Sequence, residues 1–507
     1  MRRPNVLLIT LDQFRGDCLS AAGHPLVRTP HLDALAAAGV RLARHYSQCA
    51  PCGPGRAALY TGMYQMNHRV VANGTPLDAR FDNVALAARR AGYEPQLFGY
   101  TDQSIDPREV APDDPRLSTY EGVLPGFDLA VDLTGPHQPW LDHLAALGYD
   151  TSGAGSAGDP AEHAGYSSAA FVELLSTEHE RPAEHSLTTF MTDRVLDWLA
   201  ARPAGEPWFA HLSYLRPHPP YSAPGEWSRM YDPADVGAPI EPVPADERDP
   251  FHELALQIRD ARAPRDPDTM AWVRAQYYGN ISHVDAELGR IWAALQASGA
   301  WDDTLIVVTA DHAEMLGDHG FVQKLGYWEP SYWILGIVRD PSHPEGHGTV
   351  VDAFTENVDL LPTICTAIGQ PVPAQCDGAP LTPFLRGEPT PSGWRTGAHW
   401  EFDWRGYLVH VQPDGWQAGW PADRTLERQN LAVLRDATHA YVQFGDGQWR
   451  CFDLAADPTW RTTVDDPAVV LPRAQAMLQW RQEHTDRTLT GMLCESGGIG
   501  RRPTAIG

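Results

Sequence analysis

Two apolar runs that lie far apart in the chain end in the same way, and this repetition constrains the fold more than any other sequence feature. Asn5–Leu11 and Thr304–Thr309 are rich in apolar and β-branched residues, as is typical of strands buried on both faces of a parallel sheet. Polar residues follow each run, namely Asp12 and Gln13 after the first and Asp311 and His312 after the second. Because ligands of open α/β sheets bind beyond the carboxyl ends of the strands, these side chains are expected to share one divalent cation.

The other apolar runs predict one large α/β domain followed by a smaller antiparallel unit. In the large domain, two further strands are predicted at 94–98 and 208–213, and a long helix at 269–298. In the smaller unit, the predicted elements are short strands at 407–412, 440–444 and 449–453 and a helix at 467–484.

The chain is therefore expected to have three parts. Residues 1–385 form the α/β domain, 386–490 the C-terminal subdomain, and 491–507 a Gly- and Arg-rich tail. Segments 102–186 and 231–267 are rich in Pro, Asp, Gly and Ser, which indicates loops that wall or cover a site.

The segment 52–56 reads Cys-Gly-Pro-Gly-Arg and is the most informative local motif. It places a potential nucleophile, Cys52, and a fixed cation, Arg56, at the start of a predicted helix. Cys49 and Cys52 also spell Cys-x-x-Cys, but a single pair without a second Cys/His pair is weak evidence for structural zinc.

This motif resembles the site at which sulfatases convert a cysteine into formylglycine. Other segments are similar to sulfatase signatures at the expected separations over nearly the whole chain, namely 29–35, 217–220, 317–319 and 358–363. Finer motifs resemble those of the phosphonate monoester hydrolases, namely 51–54, 66–69, 75–78, 98–101 and 484–490. The chain thus resembles the sulfatases of the alkaline phosphatase superfamily, and within them a group that hydrolyses phosphonate monoesters and phosphodiesters with promiscuous sulfatase activity.

The resemblance implies a fold and a nucleophile. The implied fold is α/β, a large mixed sheet sandwiched by helices as in alkaline phosphatase, with a smaller C-terminal antiparallel-sheet subdomain. Cys52, once converted to formylglycine by a maturation enzyme, is implied to be both the nucleophile and a metal ligand. Its aldehyde hydrate carries two hydroxyls, so one can attack the ester and loss of the other's proton can release the bound group.

The resemblance also assigns roles to residues around Cys52. Arg56 and Lys324 are implied to stabilise the anion, and His218 to assist the leaving oxygen or the breakdown of the covalent intermediate. The substrate-lining positions are implied to be Asn73, Tyr100 and Asp102.

Two positions depart from the pattern of the resembling enzymes. They carry Thr where this chain has Asp102, so either Asp102 faces away from the anionic substrate or the substrate bears a cation. The modification motif usually has Ser or Ala at the position of Gly55, although Cys52, Pro54 and Arg56 are retained.

The metal ligands also differ from those of many sulfatases, which have a second Asp and an Asn at the corresponding positions. Gln13 and His312 lower the charge of the site and add a nitrogen ligand. This favours manganese, with calcium, zinc and iron as the alternatives.

Lys324 is the only lysine among 39 basic residues, although arginine is common throughout the chain. A single retained lysine indicates a position where a compact, titratable ammonium cannot be replaced by a planar guanidinium. The alternative is chance retention on the surface.

Some motif residues also have plain structural interpretations. Asp311 could cap the next helix, residues 217–220 could form a rigid proline loop, and His68 and His319 could be ordinary hydrogen-bonded histidines.

Global properties favour an enzyme of the cytoplasm. The net charge of −26 argues against nucleic acid or an anionic membrane as a partner, so an anion-binding pocket must be locally basic. The sequence begins Met1-Arg2-Arg3-Pro4 without an apolar signal region, and seven scattered cysteines fit reduced thiols. The tail and the family resemblance predict a homodimer or homotetramer.

Three hypotheses follow. The first is a metal-dependent formylglycine hydrolase of phosphonate monoesters and phosphodiesters with promiscuous sulfatase activity. The second is a dedicated sulfatase for small anionic esters of the aryl or cationic alkyl sulfate type. The third is an inactive binding relative, which retention of Cys52, Arg56 and Lys324 opposes.

Overall fold

The computed structural model describes residues 3–119, 121–135, 137–155, 169–203, 205–258, 261–404, 428, 430–485, 492–501 and 505–506. The strands in the first part of the chain are β1 (Asn5–Leu11), β2 (Val40–Tyr46), β3 (Cys49–Ala50), β4 (Gln96–Gly99), β5 (Asp128–Asp132), β6 (Phe209–Tyr214), β7 (Thr304–Thr309), β8 (Gly336–Arg339) and β9 (Thr349–Glu356). The later strands are β10 (Val372–Pro373), β11 (Gly397–Phe402), β12 (Leu431–Asp436), β13 (His439–Phe444), β14 (Trp449–Asp453), β15 (Met492–Glu495), β16 (Gly498–Arg501) and β17 (Ala505–Ile506).

The α-helices lie between these strands. In chain order they are α1 (Pro30–Ala37), α2 (Cys52–Thr61), α3 (Gln65–His68), α4 (Val84–Arg90), α5 (Gln138–Ala146), α6 (Ala169–Ser176), α7 (Leu187–Ala201), α8 (Pro250–Ala255), α9 (Pro267–Ala297), α10 (Leu360–Ala367), α11 (Thr382–Leu385) and α12 (Pro467–His484). Among helices of the described residues, none combines the length and apolar character needed to cross a membrane.

An eight-stranded mixed sheet forms the centre of the molecule, in the order β5-β4-β6-β1-β7-β8-β2-β9. Strand β1 runs parallel to β6 on one side and to β7 on the other, whereas β8 is antiparallel to both of its neighbours. The adjacent parallel strands β1 and β7 therefore end at the same edge of the sheet.

Both faces of this sheet are covered. Along β1, Leu7 and Ile9 belong to one hydrophobic core, whereas Val6 and Leu8 belong to the core on the opposite face. Successive side chains of a strand point to opposite faces, so a strand with two buried faces needs a continuous apolar run. The predicted α/β fold, a large mixed sheet between helices, is confirmed.

A second sheet, in the order β14-β13-β12-β11-β3, forms the antiparallel unit. Its edge strand β3 comes from the N-terminal part of the chain and pairs in parallel with β11, Cys49 opposite Glu401 and Ala50 opposite Phe402. The small sheet therefore holds the backbone just ahead of Cys52, although the proposed boundary between 385 and 386 places it in another domain.

Most predicted elements agree with the structure within two residues. β1, β7, β14 and α12 have the predicted bounds, whereas β6 and α9 are displaced by one or two residues. The strand predicted at 407–412 lies outside the described residues. The tail forms the β15–β16 hairpin and pairs β17 with β10 of the same chain, while the predicted contact with another subunit stays a prediction.

Candidate active site

The two strand ends and the start of α2 converge, as the paired β1 and β7 require. Thr10 lies opposite Thr309 in the register, so Asp12 and Asp311 follow at neighbouring strand ends. α2 begins at Cys52 and all ten of its residues are buried. The N-terminus of a helix carries partial positive charge, which suits a site for an anionic substrate.

Four side chains here form a potential metal site. One ligand atom from each of Asp12, Cys52, Asp311 and His312 lies within 4.8 Å of the other three, and all four residues are buried. Among the described residues, no group hydrogen-bonds to Oδ1 of Asp12, which is itself buried. An orphaned buried carboxylate oxygen is costly unless a cation satisfies it, so this donor set fits a divalent ion.

His312 presents its Nε2 atom to this cluster. Nδ1 lies 3.1 Å from the carbonyl oxygen of Ala313 and is assigned as the donor there, which leaves the Nε2 lone pair directed inward. Nε2 is 3.1 Å from Sγ of Cys52 and 3.8 Å from Oδ1 of Asp12. Burial lowers the pKa of His312 to about 3, so the ring is a neutral ligand at physiological pH.

Burial also raises the pKa of Asp12 well above its usual range, and the negative charge of Asp311 raises it further. Two carboxylates held this close repel one another in a dry site. A divalent cation would relieve this repulsion, which is a second sign that the residues fit a metal.

Arg56 is fully buried among three carboxylates. Its Nη2 lies 3.0 Å from Oδ2 of Asp12, and its Nε lies 3.0 Å from Oδ2 of Asp311 and 3.4 Å from Oδ2 of Asp102. Nη1 donates to Oγ of Ser213 at 2.7 Å. Arg56 therefore fixes both strand-end aspartates in place.

Gln13 and Lys324 meet beside this cluster. Gln13 has a φ of 71°, a left-handed conformation that is rare outside glycine and common at functional sites. Lys324 donates from Nζ to Oε1 of Gln13 at 2.8 Å and lies 2.9 Å from Nε2 of His218. The predicted role of Gln13 as a metal ligand stays a prediction; its amide oxygen accepts a hydrogen bond from Lys324 and keeps a second lone pair.

His218 is oriented by its second ring nitrogen. Nδ1 lies 2.8 Å from the carbonyl oxygen of Pro219 and is assigned as the donor, so Nε2 accepts from Lys324. Burial, followed by the charge of Lys324, lowers the pKa of His218 well below its ordinary value. The ring is therefore neutral, with its lone pair directed at the site.

The surroundings of Cys52 disfavour a thiolate. Burial raises the pKa of the Cys52 thiol well above its ordinary value, and Asp12 raises it further while Lys324 opposes the change. A reactive cysteine needs the opposite environment. An unmodified Cys52 is thus a poor nucleophile in this position.

Close packing accounts for Gly55, the departure within the motif. A Cβ atom there would lie 2.4 Å from the carbonyl oxygen of Asp311, and real Cβ atoms do not approach so closely. Glycine at this position lets α2 lie directly against the end of β7.

The predicted substrate-lining residues lie around this point. Tyr100 donates from its hydroxyl to Oδ2 of Asp12 at 2.8 Å, and Asn73 accepts from the backbone N–H of Gly53 at 2.8 Å. Asp102 faces inward and lines a pocket with Asp12 and Tyr100, and burial raises its pKa to about 6.

Two residues near the cluster were missed by sequence reasoning. Glu314 accepts hydrogen bonds from the side-chain amide of Gln13 and, at 2.8 Å, from the hydroxyl of Tyr221. Ser213, at the end of β6, holds Arg56. The proximity of Glu314 to Asp311 and His312 was a usable signal, whereas nothing in the sequence marks Ser213.

The chain is similar to known proteins over most of its length. The protein-family model described as Sulfatase matches residues 4–370. The multifunctional alkaline phosphatase superfamily protein PehA of Trinickia caryophylli is 36% identical, over 99% of this chain and 100% of that protein.

Two solved structures have the same fold over almost their whole length. The phosphonate monoester hydrolase of Agrobacterium radiobacter matches with a TM-score of 0.84 and 41% identity, covering 99% of this chain and 100% of the other. The phosphonate monoester hydrolase SpPMH of Silicibacter pomeroyi matches with a TM-score of 0.82 and 37% identity, covering 99% of each chain.

Proposed function

Since the chain belongs to the sulfatase family of the alkaline phosphatase superfamily, we propose that it is a metal-dependent hydrolase of phosphonate monoesters and phosphodiesters with additional sulfatase activity. Cys52, as formylglycine, is the proposed nucleophile. The two structural relatives are both phosphonate monoester hydrolases at 37% identity or more, which supports this choice over a dedicated sulfatase.

One observation carries the proposal. Asp12, Cys52, Asp311 and His312 bring their ligand atoms within 4.8 Å of one another at the buried start of α2. Arg56 lies against the same carboxylates, so the nucleophile, the metal ligands and a fixed cation form one unit.

A divalent metal bound by Asp12, Asp311 and His312 would supply positive charge to the oxygens of the substrate and the nucleophile. Gln13 and the side chain at position 52 are the proposed additional ligands. The nitrogen of His312 and the single amide in place of a further carboxylate favour manganese over calcium.

A formylglycine hydrate supplies two geminal hydroxyls, one to attack the ester and one to release the product. Lys324 is positioned to hold a non-bridging oxygen of the substrate, because its ammonium already faces the site between Gln13 and His218. His218 is neutral, and its Nε2 accepts from Lys324 in this structure. Its proposed role is to accept a proton at Nε2 when the covalent intermediate breaks down, once Lys324 has turned to the substrate.

The test combines a chemical and a kinetic measurement. Peptide mass spectra across Cys52, from protein produced with a formylglycine-generating enzyme, are expected to show the aldehyde. Cys52→Ala is expected to lower kcat/KM for a phenylphosphonate monoester by about 10⁴-fold or more, because no side chain then remains to form the intermediate.

Cys376→Ala, which removes a thiol outside the metal-ligand cluster, serves as the matched control and is expected to stay within about twofold of wild type. Three substrates are compared, a phosphonate monoester, a phosphodiester and an aryl sulfate. If the fully modified, metal-loaded protein hydrolyses only the sulfate, it is a dedicated sulfatase. If it hydrolyses none of the three substrates, the proposed hydrolase function is refuted and a binding role is favoured.

A cytoplasmic location and a homodimer or homotetramer belong to the same proposal. Six described cysteines are free thiols, as a reducing compartment favours. Size-exclusion chromatography with light scattering measures the assembly directly.

A further inference from the structure

A pocket adjoins the metal-ligand cluster. Asp12, Tyr100 and Asp102 form the wall that it shares with the reacting groups. The remaining walls include Glu121, whose carboxylate accepts from the backbone N–H of Gly135, and are otherwise largely apolar, with Leu133, Phe171, Leu175 and Leu215. A concave apolar site with a few polar groups is the usual place for the organic part of a ligand.

Asp102 gives this pocket a negative charge. Its only cation in the described ion pairs is Arg56, at 3.4 Å, and Asp12 and Asp311 each approach the same guanidinium to 3.0 Å. Lys324 also lowers the pKa of all three carboxylates, while Asp12 and Asp311 interact with Arg56 more strongly than Asp102 does. Asp102 is therefore the most weakly paired of the three carboxylates around Arg56, and it lies at the wall of the pocket.

The backbone holds Asp102 in this orientation. Its φ of 51° lies in the left-handed region, and its side chain is 6% exposed. The Gln103 side chain donates to the Asp102 carbonyl oxygen at 3.0 Å and to the Gly53 carbonyl oxygen at 2.9 Å, which ties this turn to the start of α2. A buried charge in a strained conformation indicates a functional position.

Aromatic rings line another part of the pocket. Phe171 stacks on His137 with ring centroids 4.6 Å apart and planes 5° from parallel. His137 is 5% exposed, and no group among the described residues hydrogen-bonds to its buried Nδ1. Aromatic faces together with a carboxylate form the combination that binds organic ammonium ions.

We propose that this pocket selects esters whose organic group is apolar and carries a positive charge, and that Asp102 is the residue that recognises the charge. The inference rests on the proposed hydrolase function and names its substrate class. The apolar walls bind the alkyl part, and the weakly paired carboxylate of Asp102 pairs with the ammonium. The anionic ester group is then left to Arg56, Lys324 and the metal.

The experiment uses two matched substrates, the methylphosphonate monoesters of choline and of 3,3-dimethylbutanol. They have the same shape and differ in one positive charge. Release of methylphosphonate is followed by phosphorus NMR with the modified, metal-loaded protein. The wild type is expected to prefer the choline ester by about tenfold or more in kcat/KM, equivalent to about 1.4 kcal/mol.

Asp102→Asn removes the charge and keeps the shape, and asparagine tolerates the left-handed backbone. It is expected to lower the ratio of the two kcat/KM values to about one. Asp102→Gly, which also fits the left-handed backbone, is a second variant with the same expected ratio. Glu109→Gln removes a carboxylate from an exposed residue and is expected to leave the ratio unchanged.

The outcomes separate the two proposals. If the wild type hydrolyses both esters equally well, or if its preference for the choline ester persists in Asp102→Asn, the proposal that Asp102 recognises a cation is overturned. Hydrolysis of neither ester, nor of a phenylphosphonate monoester, by protein shown to contain formylglycine and metal refutes the proposed function itself. A choline preference that Asp102→Asn abolishes supports both.

Discussion

Two buried charge clusters in this protein resemble one another in composition and differ in how completely they are paired. In the first, Arg56 contacts Asp12, Asp102 and Asp311. In the second, Arg395 contacts Glu356 with Nε at 3.3 Å and Asp359 with Nη2 at 2.7 Å. Both sets of carboxylates are almost inaccessible to solvent.

Every carboxylate oxygen of the Arg395 cluster accepts a hydrogen bond. Glu356 accepts from the Tyr64 hydroxyl at 2.7 Å and from the His399 backbone N–H at 2.8 Å. Asp359 accepts from the backbone N–H groups of Ala379 and Glu356 at 2.9 and 2.8 Å, in addition to Arg395. This cluster is complete as it stands and stabilises the junction between α10, β9 and the small sheet.

The Arg56 cluster lacks this completeness. Oδ1 of Asp12 has no hydrogen-bond partner among the described residues, and there are three carboxylates to one guanidinium. The comparison indicates that a buried charge cluster has a structural role when its own groups satisfy all of its hydrogen bonds. A cluster that leaves a buried carboxylate oxygen without a partner is suited to binding a ligand.

The largest expected effect comes from removing each arginine. Arg395→Leu leaves Glu356 and Asp359 buried without a cation and is expected to lower stability by about 3–5 kcal/mol. Arg56→Leu is expected to destabilise the metal-free protein by a similar amount. Urea unfolding with and without manganese measures both changes.

The metal separates the two variants. A divalent cation can partly replace the positive charge lost with Arg56. Manganese is therefore expected to reduce the loss in free energy of unfolding caused by Arg56→Leu and to leave the loss caused by Arg395→Leu unchanged. An equal response of both variants to manganese contradicts the distinction between the clusters.

Replacing one aspartate of each cluster is expected to change the free energy of unfolding by a smaller amount, with opposite signs for Asp12 and Asp359. The pKa of Asp12 is raised by burial, so its ionised form opposes folding at neutral pH, and Asp12→Asn is expected to stabilise the metal-free protein by about 1 kcal/mol. Asp359→Asn loses a paired charge and places an amide donor near backbone donors, so a loss of about 2–3 kcal/mol is expected.

Thermal unfolding in the presence of a chelator measures the stability changes of the Asp12→Asn and Asp359→Asn variants. Asp12→Asn is also expected to lose the increase in Tm that manganese gives to the wild type. Destabilisation of the metal-free protein by Asp12→Asn would show that the pairing of its Oδ2 with Arg56 and Tyr100 outweighs the cost of burying the charge.

The remaining prediction concerns how the free energy of unfolding depends on pH through His45, which lies near the Arg395 cluster. Burial lowers the pKa of His45 to about 4, partly opposed by the charge of Asp359. Between about pH 6.5 and 4 the unfolded chain binds the proton and the folded protein does not, so stability falls as pH falls through this window.

His45→Gln is expected to reduce the slope of stability against pH by up to about 1.4 kcal/mol per pH unit in that window. Urea midpoints at several pH values give the slope for both proteins. A slope that the substitution leaves unaltered would mean that His45 takes up its proton equally well in the folded state.

Much of the fold followed from local sequence pattern. The apolar runs Asn5–Leu11 and Thr304–Thr309 predicted their strands with the observed bounds, because a strand covered on both faces must be apolar throughout. The motif at 52–56 and the lone Lys324 likewise identified residues that the structure brings together. These features are determined by residues that are neighbours in the chain.

Other features required the tertiary structure. The pairing of β3 with β11, the partners Ser213 and Glu314, and the inward orientation of Asp102 depend on contacts between residues distant in sequence. The sequence by itself determined which chemical groups stand at the strand ends and at the start of α2. Only the packing of sheets and helices decided which of these groups are satisfied and which still need a ligand, because hydrogen bonding and charge compensation depend on distances in space.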